Sequence, residues 1–573
     1  MSKSKRRTKR KKSRLEKIKE KSELLRGSIP EALQNDEPKF SKSDLQVLKF
    51  HGTYQQDDRD KRKGRDRHYM FMIRGRIPGG GLTGAQYLAF DDIADSYANN
   101  TLRITTRQSF QLHGVIKDDL KQTIKEINES MVTTLGACGD IVRNVMCNPA
   151  PKADGKQQEV QKFTNQLSDH LLPGTNAYHE IWLDGEKVIS NREEITQDEQ
   201  EPLYGSSYLP RKFKIGIAMP GDNSIDLYTQ DIGLVAFFDD DTNIKGFDVI
   251  VGGGMGMNHK KPDTFPRLGD HLAYITKDEL IPVIDGIIGI QRDHGNRKNR
   301  KQARMKYLIH NWGLDTFKAE LEERLGFVLK PFKPLPEFEL DLYLGWHKQP
   351  DGRWFRGITV ENGRIKDTDE VQLKTGLREV VKKYQPNVRL SANQDILLTD
   401  IDDKVKEDVE SLLAEYGISA FENRSNIIKY SMACPALPTC GLAITESERA
   451  LPKVIRDLEK EIEELGLAEE KITVRMTGCP NGCSRPYVSD IGFVGRSLNK
   501  YSLFIGGDAS GTRLNHKVKD LVEQEDLVQA VKPLLVDYKS NRSNGESFGD
   551  YWHRKDPEKA AELIDETLEA VVS

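Results

Sequence analysis

Four of the six cysteines in this 573-residue chain form two closely spaced pairs. Cys434 and Cys440 are separated by five residues, Cys479 and Cys483 by three, and 38 residues lie between the pairs. Structural zinc sites favour C-x2-C or C-x4-C spacings, often with histidine as a further ligand. Four thiolates on loops rich in proline and glycine instead suit a [4Fe–4S] cluster, whose sulfides need backbone hydrogen-bond donors nearby. We therefore predict an iron–sulfur cluster, with structural zinc as the alternative.

The other two cysteines and the composition indicate a soluble protein of a reducing compartment. Six cysteines are too few for a disulfide scaffold in a chain of this length, so Cys138 and Cys147 are predicted to be ordinary buried thiols. No window holds the ~20 consecutive apolar residues that a membrane helix needs. The N-terminus also lacks the apolar stretch of a secretory signal. We therefore expect a cytoplasmic protein with no membrane association.

The first 20 residues are strongly basic. Runs of like charge repel one another and are usually solvated, although they also bind nucleic acid or an acidic partner. The net charge of the whole chain is −3, and the rest of the chain shows no nucleic-acid-binding motif. We predict a flexible tail that continues into an N-terminal arm up to residue 50, and no nucleic-acid partner.

Two groups of polar residues recur at a spacing of two or a multiple of two. Arg103, Arg107, Gln111 and His113 share parity, so in a continuous strand they would project from one face. Lys212 and Lys214 would likewise point the same way in a predicted strand over residues 210–219. The alternative for the lysine pair is an exposed edge strand with protective lysines.

A weak internal repeat underlies the first of these groups. Residues 102–112 (LRITTRQSFQL) resemble residues 388–398 (VRLSANQDILL), and Gln108 corresponds to Gln394 at an offset of 286 residues, about half of the chain. A predicted helix precedes each segment and an amphipathic helix follows it. This order predicts a duplicated α+β unit, whereas a chance match is the alternative.

The repeat divides the chain into an α+β protein of three domains in which two ferredoxin-like copies are related by pseudo-two-fold symmetry. The predicted helices before the repeat segments cover residues 84–98 and 374–384; further strands are predicted at 224–238 and 247–256, and further helices at 280–295 and 446–466. The predicted units are the N-terminal arm 1–50, the repeat domain 51–134 plus 337–420, a central α/β domain 135–336, and a cluster domain 421–573.

Ordered segments along nearly the whole chain resemble the sulfite and nitrite reductase family, and within it the bacterial NADPH-dependent sulfite reductase haemoproteins. The cysteine segments ACPALPTC (433–440) and TGCPNGCSR (477–485) resemble its cluster motifs. The other matching segments are HGTYQQDDRD (51–60), RGRIPGG (74–80), RITTRQSFQLHG (103–114), RNVMCNP (143–149), YLPRKFK (208–214), VGGG (251–254) and QRDHGNR (291–297).

The resemblance implies two coupled cofactors, sirohaem and a [4Fe–4S] cluster. Cys434, Cys440, Cys479 and Cys483 would bind the cluster, and Cys483 would also be the axial ligand of the sirohaem iron. Sirohaem carries eight carboxylates, whose burial requires cations and hydrogen-bond donors around them. The residues assigned to sirohaem contacts by the resemblance are Arg103, Thr105, Arg107, Gln111, His113, Arg211, Lys306, Asn481 and Arg485.

The substrate implied by the resemblance is sulfite, which would be reduced to sulfide with six electrons. Lys212 and Lys214 would bind its oxygens and deliver protons, provided that burial and mutual repulsion lower their pKa values. Arg76 and Arg143, matched through RGRIPGG and RNVMCNP, would complete the anion site with forked donors.

A separate electron donor is implied as well, because no flavin or nicotinamide site is visible. The segment from Gly252 to Gly256 lacks the spacing and the acidic residue of a dinucleotide fingerprint and is better interpreted as a turn. The resemblance implies a diflavin NADPH-dependent reductase subunit, in a hetero-oligomer. Two alternatives stay open: a ferredoxin-dependent sulfite or nitrite reductase, and a non-catalytic iron–sulfur protein that binds nucleic acid through the basic tail.

Overall fold

The computed structural model describes residues 13–64, 66–185, 201–418 and 424–572. The described residues form 20 strands. They are β1 Thr53–Asp57, β2 Tyr69–Arg74, β3 Gly81–Leu82, β4 Leu102–Ile104, β5 Phe110–Val115, β6 Met146–Cys147, β7 Ile215–Ala218, β8 Ile232–Phe238, β9 Ile244–Val251, β10 Asp270–Thr276, β11 Gly345–Lys348, β12 Trp354–Ile358, β13 Arg364–Ile365, β14 Asn387–Leu390, β15 Ile396–Ile401, β16 Ser431–Ala433, β17 Val474–Thr477, β18 Ile491–Ser497, β19 Lys500–Ile505 and β20 His516–Glu523.

The α-helices flank these strands. They are α1 Arg14–Glu20, α2 Ile29–Leu33, α3 Asp44–Val47, α4 Gly84–Tyr97, α5 Leu120–Glu129, α6 Lys156–His170, α7 Ala177–Trp182, α8 Leu280–His294, α9 Met305–Trp312, α10 Leu314–Leu325, α11 Leu373–Tyr384, α12 Lys406–Glu415, α13 Asn426–Lys429, α14 Leu451–Glu464, α15 Leu527–Asn541, α16 Phe548–Arg554 and α17 Pro557–Val572. The predicted helices at 84–98, 374–384 and 280–295 are present as α4, α11 and α8. The predicted helix 446–466 is shorter, because α14 begins with Pro452 at its second position.

The two repeat copies each form a five-stranded sheet, and each sheet borrows one short strand from the other copy. The strand orders are β1-β2-β5-β4-β13 and β11-β12-β15-β14-β3. β13 of the second copy pairs with β4 of the first, and β3 of the first pairs with β14 of the second. This reciprocal exchange confirms the predicted duplication and gives it a pseudo-two-fold arrangement.

Matching glycines and glutamines hold the exchanged strands. A Cβ on Gly80 would lie 2.3 Å from the carbonyl O of Leu390, and one on Gly363 would lie 2.4 Å from that of Ile104, so only glycine fits at either crossing. The glutamine side chains identified in the sequence repeat bond across the same crossings. Gln108 Nε2 donates to Leu390 O at 3.0 Å, and Gln394 Nε2 donates to Ile104 O at 3.4 Å.

The central region forms a mixed sheet of order β10-β9-β8-β7-β6. Three of its strands differ from the predicted ranges. β7 begins only at Ile215, so Lys212 and Lys214 precede the strand instead of lying in it. Residues 227–229 form a 3₁₀ turn before β8, and β9 ends at Val251 because Gly252 takes a φ of +88°. Strong apolar patterns located these strands, but turn geometry set where they begin and end.

The C-terminal region holds the sheet β16-β17-β18-β19-β20. β16, β17 and β18 run parallel, so the carboxyl ends of β16 and β17 meet at one edge. Its apolar core, which includes Leu458, Phe493 and Leu534, is separate from the continuous core that joins the repeats and the central region. The cysteine segments leave this sheet at the shared edge.

The N-terminus differs from the predicted flexible tail. Residues 1–12 lie outside the described residues. The first described residue is Ser13, whose side chain accepts a hydrogen bond from the amide of Glu16 and caps α1. Glu16 and Lys19 of this helix are buried. Within the described ranges, no helix is long and apolar enough to cross a membrane.

Candidate functional site

The four clustered cysteines lie on two loops at the edge of the C-terminal sheet. Cys434 directly follows β16, and Cys479 lies two residues after β17. Three donors surround their sulfurs: the amide of Gly478 and the hydroxyl of Thr477 lie 3.4 Å from Cys434 Sγ, and Asn481 Nδ2 lies 3.4 Å from Cys479 Sγ. The parallel strands therefore bring together two cysteine pairs that are far apart in sequence.

The number and type of ligands on these loops fit an iron–sulfur cluster. Four thiols are present, and hydrogen-bond donors lie beside the sulfurs of Cys434 and Cys479. In a cubane cluster each thiolate binds a different iron, and hydrogen bonds to the sulfurs are typical. The donor set fits a [4Fe–4S] cluster.

Burial makes free thiolates unfavourable on these loops. It raises the pKa of Cys440 to about 11, with the neighbouring Cys434 and Cys483 sulfurs adding to the effect. Burial, followed by the Cys483 charge, also raises the pKa of Cys434 and Cys479. A bound cationic metal centre would offset this cost. Cys483 is instead exposed, and it faces a large cavity.

The cavity has a volume of about 600 Å³ and lies between the cysteine loops, the first repeat and the central region. This volume falls within the range of cofactor and ligand sites. Its lining is rich in cations. The lining includes Lys49, Tyr54, Arg74, Arg103, Thr105, Gln111, His113, Asp140, Arg143, Arg211, Lys212, Arg300, Gln394, Cys434, Cys440, Asn481 and Cys483.

Eleven of the residues named from the sequence line this cavity. They are Arg103, Thr105, Gln111, His113, Arg143, Arg211, Lys212, Asn481, Cys434, Cys440 and Cys483. Six others do not line it: Arg76, Arg107, Lys214, Lys306, Arg485 and Cys479.

The expectation that four equal-parity residues share one strand face is wrong. β4 ends at Ile104 and β5 begins at Phe110, with a tight turn between them. Arg103 and Gln111 lie side by side because they pair across the two antiparallel strands. Arg107 lies in the turn and points away from the cavity, where it donates to Gln230 Oε1 at 2.7 Å and to the carbonyl of Asn144. Equal parity therefore predicted a shared strand face correctly only within β5, where Gln111 and His113 both line the cavity.

Arg76 is also placed differently from the prediction. Its guanidinium is 3% exposed and donates to Ser168 Oγ at 3.0 Å and to the carbonyls of Gly136 and Val142 at 3.1 and 3.0 Å. These bonds leave it no reach into the cavity. Arg74, two residues earlier, lines the cavity from the end of β2, opposite Gln111 in the register. The segment RGRIPGG therefore contributes an arginine to the cavity, but this residue is Arg74 and not Arg76.

Lys306 and Arg485 are fully engaged by protein groups. Lys306 Nζ donates to the carbonyls of Gly254 and Gly256 at 2.9 and 2.8 Å, which holds the glycine-rich turn in place. Arg485 forms an ion pair with Asp226 and donates to the carbonyls of Thr106 and Ala392 at 3.0 Å each. Both residues therefore support the walls of the site, and neither lines the cavity.

His113 is buried beside the cavity with one ring nitrogen unpaired. Its Nδ1 atom is buried without a hydrogen-bond partner among the described residues. Burial, followed by the charges of Arg364, Arg103 and Arg74, holds the pKa of His113 well below its usual range, so the ring is neutral. An unsatisfied buried nitrogen next to a cavity is the kind of group that a bound ligand satisfies.

The lysine pair is half-buried near Cys483. Burial, followed by the Arg143 guanidinium, lowers the pKa of Lys212 to about 7. Burial and then Arg107 hold the pKa of Lys214 well below its usual range. Lys212 lines the cavity, while Lys214 lies just behind it, with its amide bonded to Asp231. The pKa values of both lysines are therefore lowered, as proton delivery by this pair requires.

Several lining residues were not identified from the sequence. Arg74, Lys49 and Arg300 add positive charge, Asp140 is the acid among them, and Tyr54 lies 3.4 Å from an Arg143 nitrogen. They come from four separate segments. Among them, Tyr54 and Arg74 carried a signal, since each lies inside a segment that is part of the resemblance.

Family models match most of the chain. The nitrite and sulphite reductase 4Fe-4S domain matches residues 163–329 and 426–571. The nitrite/sulfite reductase ferredoxin-like half domain matches residues 62–130 and 347–416, which are the two repeat copies.

Individual relatives are similar over nearly their whole length. The chain is 46% identical over 544 residues to a Staphylococcus haemolyticus protein named sulfite reductase (NADPH) hemoprotein beta-component, with 94% of each chain covered. It is also 46% identical over 556 residues to a Synechococcus elongatus protein named sulfite reductase (ferredoxin), covering 95% of this chain and 89% of that one. The Mycobacterium tuberculosis NirA protein has the same fold, with a TM-score of 0.76 at 22% identity over 96% and 98% of the two chains.

These matches agree with the geometry. They confirm the predicted α+β fold with its duplicated ferredoxin-like halves, and sirohaem with a [4Fe–4S] cluster as the cofactors of the matched family. The family models match two ferredoxin-like half domains and a 4Fe-4S domain in this chain, and the relatives are similar over nearly their whole length. The chain therefore belongs to the nitrite and sulfite reductase family, a group of oxidoreductases.

Proposed function

We propose that the protein is the haemoprotein of an assimilatory sulfite reductase, which reduces sulfite to sulfide with six electrons at a sirohaem coupled to a [4Fe–4S] cluster. One observation carries the proposal. Cys483, a residue of the cluster motif, is exposed into a cavity of about 600 Å³ whose wall holds Arg74, Arg143 and Lys212. A single thiolate there can belong to both a cluster and a tetrapyrrole iron, directly beside an anion site.

The cysteine loops would bind the cluster through Cys434, Cys440, Cys479 and Cys483. When bound, the two centres supply electrons one after another to the substrate. The sirohaem carboxylates would be bound by cavity residues from the first repeat and the central region. These residues are Arg103, Thr105, Gln111, His113, Arg211 and Asn481. Arg107, Lys306 and Arg485 support this wall from behind.

Sulfite would bind between the forked arginines and the lysine. Arg74 takes the part first assigned to Arg76, and together with Arg143 it offers paired N–H donors to the anion oxygens. Lys212 is about half protonated near neutral pH, which suits a proton donor to a departing oxygen. Burial, followed by the Arg107 charge, also lowers the pKa of Lys214, which would take up a proton from solvent and pass it on toward Lys212 after each transfer.

The electron donor is proposed to be a diflavin subunit that oxidises NADPH and forms a hetero-oligomer with this chain. The Staphylococcus haemolyticus relative is named as such a beta-component. A ferredoxin donor is the second candidate. The Synechococcus elongatus relative, which is also 46% identical to this chain, is named sulfite reductase (ferredoxin).

The decisive experiment is anaerobic purification from cells with ample tetrapyrrole supply. We expect a sirohaem Soret band, iron and labile sulfide in the ratio of one cluster and one haem, and turnover of sulfite to sulfide with reduced methyl viologen. Side-by-side kinetics with nitrite test the substrate, and NADPH with a diflavin reductase or reduced ferredoxin tests the donor. Zinc in place of iron and sulfide, or pigment without sulfite turnover, would contradict the proposal.

A further inference from the structure

Helix α1 packs against the outer wall of the cavity through two buried charged side chains. Glu16 and Lys19 are each 2% exposed. Lys19 Nζ lies 2.7 Å from Glu16 Oε1 and 3.6 Å from Asp140 Oδ2, and it donates a hydrogen bond of 2.8 Å to the carbonyl O of Leu209. Burying an ammonium group is unfavourable unless such partners surround it. Lys19 therefore joins the N-terminus to two segments far away in sequence.

Those two segments run side by side and form the substrate wall. The amide of Leu209 donates to Asp140 O at 2.9 Å, that of Phe213 to Ile141 O at 3.0 Å, and that of Arg143 to Phe213 O at 2.9 Å. The cations that these segments present to the cavity are Arg143, Arg211 and Lys212. Leu209, which accepts the hydrogen bond from Lys19, lies only two residues before Arg211.

The carboxylate of Asp140 shares this anchoring. Arg300 donates to its two oxygens at 2.7 and 2.9 Å and also to the carbonyl of Pro210 at 3.3 Å. Burial alone would raise the pKa of Asp140, but Arg300 and Lys19 lower it to about 2, so it remains a carboxylate. The turn before Arg211 is therefore held by Lys19 at Leu209 and by Arg300 at Pro210.

On this geometry we propose that Lys19 is a positioning residue of the sulfite site. Through the carbonyl of Leu209 and the carboxylate of Asp140, it sets the place of Arg143, Arg211 and Lys212, so helix α1 is part of the active site although it contributes no lining residue. This inference rests on the proposed function and deepens it. Forked anion donors lose much of their affinity when they are displaced by a fraction of an ångström to an ångström.

The test compares Lys19→Met with Lys19→Arg and with Lys17→Met, whose lysine is exposed on the same helix. The full-length holoenzyme is assayed with sulfite and reduced methyl viologen. Lys19→Met should raise the sulfite KM about tenfold while kcat changes less than about threefold. Lys19→Arg should restore most of the KM, and Lys17→Met should match the wild type. A KM in Lys19→Met equal to that in Lys17→Met, or a fall in kcat alone, would overturn the proposal.

A second measurement decides the matter should Lys19→Met fail to fold. In Lys19→Gln, which loses the charge but keeps a donor, the amides of Leu209 and Phe213 should exchange with deuterium faster than in Lys17→Gln. Equal exchange in the two variants would also overturn the proposal. If the wild type itself does not reduce sulfite, the proposed function fails; if the wild type is active and the two lysine variants behave alike, only the role of Lys19 fails.

Discussion

The two repeat copies have the same sheet but opposite chemistry at its centre. In the first copy, Gln111 lies in register between Arg74 and Arg103, and all three line the cavity. In the second copy, Leu397 takes the place of Gln111. The neighbours of Leu397 in the register are Gly357 and Arg389.

The second copy has an apolar contact where the first has an arginine-lined wall of the cavity. Leu397 is fully buried and packs with Phe355 and Tyr343. No side chain fits at position 357, because a Cβ there would lie 1.9 Å from the carbonyl O of Tyr343. The comparison shows that the exchanged strands and crossing glycines are properties of the scaffold, shared by both copies. Arg389 of the second copy takes the place of Arg103 but does not line the cavity. Within the described residues, only the copy that faces the cysteine loops presents arginines to the cavity.

The largest effect is expected where the cysteine loop meets the first copy. Thr106, in the turn after β4, donates to the carbonyl of Cys483 at 3.0 Å. Cys483→Ala should lower kcat for sulfite by roughly 10³-fold or more, because the proposed shared ligand is lost. Iron content, the Soret band and turnover are measured together. Cys147→Ala is the control, since Cys147 is buried away from the cavity, and equal activity in both variants would remove Cys483 from the mechanism.

The next effect separates two arginines of one segment. Arg74→Lys should lower kcat/KM for sulfite by about 10²-fold with little change in Tm, because a forked donor is lost. Arg76→Lys should instead lower Tm, since its guanidinium bonds buried protein groups, and should leave the sulfite KM nearly unchanged. Steady-state kinetics and thermal unfolding distinguish the two. A lower kcat/KM in Arg76→Lys, with only a lower Tm in Arg74→Lys, would show that Arg76 and not Arg74 belongs to the anion site.

A pH effect should follow from Lys212. Its pKa of about 7 means that the protonated, proton-donating form is lost as the pH rises above that value. kcat/KM for sulfite should therefore fall about tenfold per pH unit on the alkaline side. In Lys212→Arg, which stays protonated, this fall should disappear at lower overall activity. A profile that is flat between about pH 6 and 9 in the wild type would exclude Lys212 as the donor.

The smallest effect on activity is expected in the second copy. Leu397→Gln introduces there the residue of the first copy, and burying an unpaired amide should lower the free energy of unfolding by about 2–4 kcal/mol. Sulfite kinetics of the folded variant should stay unchanged. The reciprocal Gln111→Leu should reduce the sirohaem content, and sulfite turnover with it, while it preserves Tm. Denaturant unfolding and kinetics on both variants would show whether function is confined to one copy.

Much of the fold was predictable, because its signals are local. The helices at 84–98, 374–384 and 280–295 follow from apolar periodicity, and the duplication follows from the glutamines at 108 and 394. The exchange of β3 and β13 was not predictable. Two-residue strands carry no periodic pattern, and their partners lie nearly 300 residues away.

The site was predictable in part for the same reason. The spacing of Cys434, Cys440, Cys479 and Cys483 is a local signal, and it indicated a cluster without any structure. The choice between Arg74 and Arg76 is not local, since both have equal parity in the same segment. Only the packing of Ser168 and the carbonyl of Gly136 around the guanidinium of Arg76 shows that Arg74, and not Arg76, lines the cavity.

By itself, the sequence determined the residue types: which thiols come in pairs, which segments repeat, and where positive charge accumulates. Tertiary structure decided which of those charges face the cavity. A buried arginine or lysine must find hydrogen-bond acceptors, and Arg107, Lys306 and Arg485 find theirs in carbonyls and side chains from distant segments. The structure likewise decided that helix α1, predicted as part of a flexible tail, lies against the substrate wall, because Lys19 meets the carbonyl of Leu209, 190 residues away.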